Sequence, residues 1–161
     1  MVDYGLGNIF SIQQACRVVG IDAVVTSSIH EIQNADAVFF PGVGAFGDAM
    51  AALRRLDLVA VLQDVAVSGK PLIGICLGLQ LLMDRSYEFG LHEGLSLISG
   101  DVVSLKTDGS EVKTKIPHVG WNPIEPTQLQ SQTVPLWSET PLSGLSSGEH
   151  MYFVHSYHVL P

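Results

Sequence analysis

Residues Gly74 to Gly78 read GICLG, a cysteine set between small residues, with the apolar run Pro71 to Ile75 before it and the helix-like run Leu79 to Met83 after it. That order predicts a strand-to-helix turn with Cys76 on it, which is where a nucleophile is placed. The glycines permit a strained turn that lifts the side chain into solvent, and the helix N-terminus beyond it favours a thiolate over a thiol. The backbone N–H of Leu77 would then face a developing oxyanion. A small, buried, inert cysteine is the competing reading of the same residue.

Two further glycine-rich segments invite the same question. PGVGAFG, Pro41 to Gly47, follows the apolar stretch Ala37 to Phe40, and YGLGN, Tyr4 to Asn8, follows Met1 to Asp3. Glycines in PGVG allow a backbone N–H to turn toward a ligand, although a Gly-rich turn without one reads identically. YGLGN lacks the third glycine of a dinucleotide-binding loop.

The elements that must carry these segments alternate. Met1 to Asp3 predicts the end of a short strand, and Ile9 to Val19 a helix between the N-cap Asn8 and the stop Gly20. Strands are predicted at Ala23 to Thr26 and Ala37 to Phe40. Helices follow at Ala49 to about Leu56 and Leu58 to Val67, the latter ended by Ser68 and Gly69. Leu72 to Ile75 is the fourth strand. Such alternation implies right-handed crossovers and an α/β fold with a doubly wound, mainly parallel, flavodoxin-like sheet. Short β-like pieces are added around Ile98 to Leu105, Pro123 to Glu125 and Tyr152 to Val159. Ligands bind outside the carboxyl ends of parallel strands, so the three glycine-rich segments should share one crevice.

Composition narrows the class. At 161 residues the chain fits one domain, and 47% hydrophobic residues suits strands covered on both faces. A net charge of −8 with eight Lys and Arg argues against a nucleic-acid or anionic-membrane surface. The apolar stretch Pro71 to Met83 is too short to span a bilayer. Two cysteines make no disulfide framework, so the cytoplasm is the simplest compartment. No His/Cys cluster has metal-ligand spacing, and no organic cofactor is implied.

VDYGLGN, PGVGAFG, GICLGLQLL, PHVGWN and YFVHSY, taken together and in order, resemble the class I (triad) glutamine amidotransferases. The likeness covers nearly the whole chain and is nearest to the branch that delivers ammonia to a (β/α)8 synthase in histidine biosynthesis. It implies that L-glutamine is hydrolysed to glutamate and ammonia. Cys76 would attack the side-chain carbonyl, with N–H groups of Leu77 and the Val43–Gly44 segment as the oxyanion hole. Gln80 matches a position that holds the substrate, and Gly44, Ser156 and Tyr157 match positions at its amino-acid end. PHVGWN, with Trp121 and Asn122, matches the segment that docks on the synthase subunit in a heterodimer. A core tryptophan beside a turn is the other reading of Trp121.

The family completes its triad with a His-x-Glu pair near the C-terminus, and none stands in these 161 residues. The expectation is a single amidotransferase domain, 1–161, incomplete at its C-terminus and inactive on its own. Two alternatives stay open: a glutaminase of pyridoxal phosphate or purine synthesis, and a non-catalytic flavodoxin-like binding domain whose cysteine is structural or redox-sensing.

Overall fold

The computed structural model describes residues 1–106, 115–126, 137 and 140–161. The chain forms two compact units, Met1–Asp108 with Tyr157–Pro161, and Gly109–Ser156.

In the first unit, β1 (Val38–Gly42) and β2 (Leu72–Cys76) pair in parallel, from Val38 opposite Leu72 to Gly42 opposite Cys76. The N-terminal segment extends the same array. Val2 donates to the Phe39 carbonyl at 2.9 Å and forms a parallel bridge with Thr26. The order across the array is therefore Thr26, Val2, β1, β2, which puts the first segment inside rather than at an edge, as in doubly wound folds. The strand expected at Ala23 to Thr26 is reduced to this bridge and to a 2.7 Å hydrogen bond from the Met1 ammonium to the Val24 carbonyl.

Helices fill the crossovers. α1 (Ile9–Val18) starts where expected, because the Asn8 side chain accepts from the Ser11 N–H, and the chain leaves it through Gly20 at φ 81°. α2 (Ile29–Asn34) was not expected, although Ser28 and Glu31 have the spacing of a capping box and the Ser28 side chain does accept from the Glu31 N–H. α3 (Phe46–Arg55) begins three residues before the expected Ala49. The cause is tertiary: the Glu88 carboxylate accepts from the Phe46 N–H at 2.7 Å. α4 (Leu58–Val67) has the expected bounds. Its buried stripe, Leu58, Val61, Leu62 and Val65, joins Phe46, Met50 and Leu53 of α3 in a core with Val38 and Phe40 of β1. α5 (Leu77–Leu81) starts on the residue after β2.

The remaining strands of this unit are short. β3 (Arg85–Ser86), β4 (His92–Glu93) and β5 (Asp101–Ser104) form a mixed sheet in the order β4, β3, β5. The second unit holds an antiparallel pair, β6 (His118–Pro123) and β7 (His150–His155). The β-like piece expected at Pro123 to Glu125 therefore lies mostly upstream and takes in HVGWN. Tyr152 to Val159, expected as one piece, is divided at Ser156, because β7 pairs with β6 while β8 (Tyr157–Leu160) pairs with β5.

Candidate functional site

Cys76 is the last residue of β2 and the residue before α5, and its side chain is exposed. Its backbone is at φ 54°, ψ −117°. A residue with a Cβ held there costs on the order of 1–3 kcal/mol, which the surrounding structure must supply.

The neighbouring glycines show how it does so. A Cβ on Gly74 would stand 2.7 Å from the Cα of Leu79, and one on Gly78 would overlap the Phe40 carbonyl oxygen. A Cβ on Gly42 would stand 2.9 Å from the Gly78 nitrogen, 2.9 Å from the Leu77 Cβ and 2.5 Å from the Tyr4 hydroxyl. α5 thus crosses close over the ends of β1 and β2, where positions 42, 74 and 78 carry no side chain of their own. The close crossing forces the reversal at Cys76 and turns its side chain outward, as a nucleophile elbow does. The buried cysteine is Cys16 instead, inside α1.

The three glycine-rich segments adjoin one another at this turn. Gly42 is the register partner of Cys76, so Val43 and Gly44 leave β1 at the level of the thiol. Gly44 is at φ 108°, a conformation that glycine adopts freely. The Val43 N–H donates to the Leu6 carbonyl at 3.3 Å, which ties PGVG to the YGLGN loop. Leu77 opens α5, so its N–H is among the free donors of a helix start.

Of the residues expected at the substrate, Gln80 and Tyr157 are joined directly: the Gln80 side-chain amide donates to the Tyr157 carbonyl at 3.2 Å. Ser156 is half-buried at the bend between β7 and β8 and belongs to the second unit. Trp121 and Asn122 lie on β6 of that unit. Trp121 is 67% exposed in this structure, and its ring is 5.5 Å from that of its cross-strand partner Tyr152. Asn122 contacts the His118 imidazole at 2.9 Å, and His118 contacts His155 at 3.0 Å.

Two residues of this neighbourhood escaped the sequence reading. Glu88 holds the first N–H of α3, directly after the PGVGA loop, from 42 residues away. Tyr4 is 3% exposed, and its hydroxyl has no hydrogen-bond partner among the described residues. Burial pushes its phenol well above the ordinary tyrosine range, and nearby Cys76 adds to the effect. A tyrosine beside a glycine-rich turn was the only signal available for Tyr4; Glu88 gave none.

Among the described residues no group of three or more His, Cys, Asp or Glu could hold a metal ion, and no helix is long and apolar enough to cross a membrane. The exposed thiol, the adjacent helix-start donors and the Gly44 loop together suit covalent attack on a carbonyl group.

The model of the family described as "Glutamine amidotransferase class-I" matches residues 1–161. The chain is 42% identical over 161 residues to "Imidazole glycerol phosphate synthase subunit HisH" of Rhodopirellula baltica, covering 100% of this chain and 72% of the relative. It is 46% identical over 158 residues to the subunit of the same name in Bacillus cereus, covering 98% and 69%. For that of Aquifex aeolicus the identity is 44% over 162 residues, covering 100% and 72%. Among solved structures it resembles one described as "Crystal structure of glutamine amidotransferase", with a TM-score of 0.66 at 17% identity, covering 95% of this chain and 69% of that one. At that identity the match speaks for the fold.

Proposed function

This chain belongs to the class I glutamine amidotransferase family, and we propose that within it the chain is the glutaminase subunit of an imidazole glycerol phosphate synthase. It hydrolyses the side-chain amide of L-glutamine to glutamate and ammonia. The ammonia passes to a (β/α)8 synthase subunit, where it is used to make imidazole glycerol phosphate and AICAR ribonucleotide in histidine biosynthesis.

The observation that carries the reading is Cys76, exposed at φ 54° between β2 and α5. Its thiolate attacks the amide carbonyl, ammonia leaves, and water releases glutamate from the thioester. The N–H groups of Leu77 and of the Val43–Gly44 segment serve the tetrahedral oxyanion, each donor of this kind contributing roughly 3–4 kcal/mol. The Val43 N–H must first be released from the Leu6 carbonyl. Gln80, fixed to β8 through the Tyr157 carbonyl, holds the substrate, and Gly44 and Tyr157 serve its amino-acid end. Trp121 and Asn122 serve the contact with the synthase subunit. The exposed aromatic pair Trp121–Tyr152 supports that assignment, since such residues anchor interface cores.

Residues 1–161 contain no His-x-Glu pair, so a covalent trap tests the nucleophile better than turnover does. A diazoketone analogue of glutamine should label Cys76, glutamine should protect it, and Cys76→Ala should abolish labelling. An unlabelled Cys76 that still reacts with general thiol reagents would overturn the glutaminase assignment and favour a binding domain.

A further inference from the structure

Beside the elbow, among the described residues, the phenol of Tyr4 stands out as a group to which the mechanism above gives no task. A buried hydroxyl without a partner is a cost that folded proteins normally avoid, so its position calls for an explanation. Tyr4 is 3% exposed, and its hydroxyl is unpartnered among the described residues. It lies at the bare Cα of Gly42, where an added Cβ would meet it at 2.5 Å and meet the elbow atoms of Leu77 and Gly78 at 2.9 Å. Gly42 and Cys76 lie side by side at the ends of neighbouring parallel strands. The hydroxyl thus sits beneath the turn that presents the sulfur. Cys76 is exposed and has a single side-chain torsion to turn.

We propose that Tyr4 is a further catalytic residue: its hydroxyl is the hydrogen-bond donor for the Cys76 sulfur while that sulfur carries negative charge, before attack and again when the thioester is cleaved. The donor keeps its proton throughout, so no proton is transferred in the step. Three features suit the task. The donor is dry, so its hydrogen bond to an anion is stronger than one made in water. Among the described residues it has no acceptor to give up. Burial, and then the neighbouring Cys76, hold the phenol protonated through the working range of pH. The inference rests on Cys76 being the nucleophile.

The test compares the full chain with its Tyr4→Phe variant, which removes one oxygen and preserves the ring. Alkylation of Cys76 by iodoacetamide is followed peptide by peptide as pH is varied, which separates Cys76 from Cys16, with Cys76→Ala as background. Tyr4→Phe should slow alkylation at neutral pH by about 3–10-fold and displace the rate curve to higher pH, with an unchanged or higher melting temperature. Superimposable curves from two folded proteins would overturn the proposal. If Tyr4→Phe does not fold, the wild-type chain carrying 3-fluorotyrosine decides: raising pH through Cys76 ionisation should shift the Tyr4 fluorine resonance, and a stationary resonance refutes the contact. A glutamine diazoketone separates the two claims. Failure to label the wild type defeats the glutaminase assignment, whereas equal labelling of wild type and Tyr4→Phe defeats only the role of Tyr4.

Discussion

At the scale of single residues, the elbow is built by omission. Cys76 holds a strained backbone because Gly42, Gly74 and Gly78 let α5 lie on the strand ends, and each lacks room for one carbon. Gly78→Ala is the sharpest case, since its methyl group would overlap the Phe40 carbonyl oxygen. It should destabilise the chain by about 3 kcal/mol or more, read as a fall in the urea midpoint, and should slow Cys76 labelling through loss of the turn. Tyr4 predicts a pH effect of definite sign. Its phenol ionises above its usual 10 in the folded chain, through burial first and Cys76 second. The protonated form favours folding, so its contribution is complete below pH 10 and is lost as pH rises through the folded value. Urea melts of wild type and Tyr4→Phe at successive pH values read this out as the offset between them. Above pH 10 the offset should move in favour of Tyr4→Phe.

At the scale of elements, what could be read ahead of the structure follows from where each signal lies. α1 and α4 were legible because their caps and stops, Asn8 with Gly20 and Ser68 with Gly69, are neighbours in sequence. β2 was legible as an apolar run ending at the elbow. The start of α3 was not, because its cap comes from Glu88, far along the chain. The division of the last strand at Ser156 was hidden for the same reason, since only the partners of β7 and β8 reveal it. The candidate site divides in the same way. Cys76, Gly44 and Gln80 lie in local motifs, whereas the position of Tyr4 beside Gly42 and the elbow exists only once α5 has been laid across the strands. The Glu88 cap carries its own prediction. Its 2.7 Å bond joins a carboxylate to the N-terminus of α3, a favourable place for negative charge. Glu88→Ala should lower stability by about 1–2 kcal/mol in denaturant melts, with Glu88→Gln losing less.

At the scale of the whole molecule, the chemistry and the exposed aromatic face belong to different compact units. Cys76, Gly44, Gln80 and Tyr4 lie in the first, and Trp121 and Tyr152 in the second. Perturbations of the two should therefore be separable. Val119, Trp121, Tyr152 and Val154 are all more than half exposed and occupy facing positions on β6 and β7, a patch with little to lose in folding. Trp121→Ala should change unfolding free energy by about 1 kcal/mol or less, the scale of one cross-strand pair. It should weaken binding to the synthase subunit by about 2 kcal/mol or more, measured by titration calorimetry. Equal losses in both measurements would make Trp121 a structural residue of the β6–β7 pair.

The missing side chains at positions 42, 74 and 78 also have a genetic meaning. Every single-base change that alters a glycine codon's amino acid installs a residue with a Cβ or a stop. At these three positions a Cβ would stand closer than 3.0 Å to a neighbouring atom. Synonymous change should therefore be the best-tolerated change at all three codons, an outcome that saturation mutagenesis scored by Cys76 labelling would check.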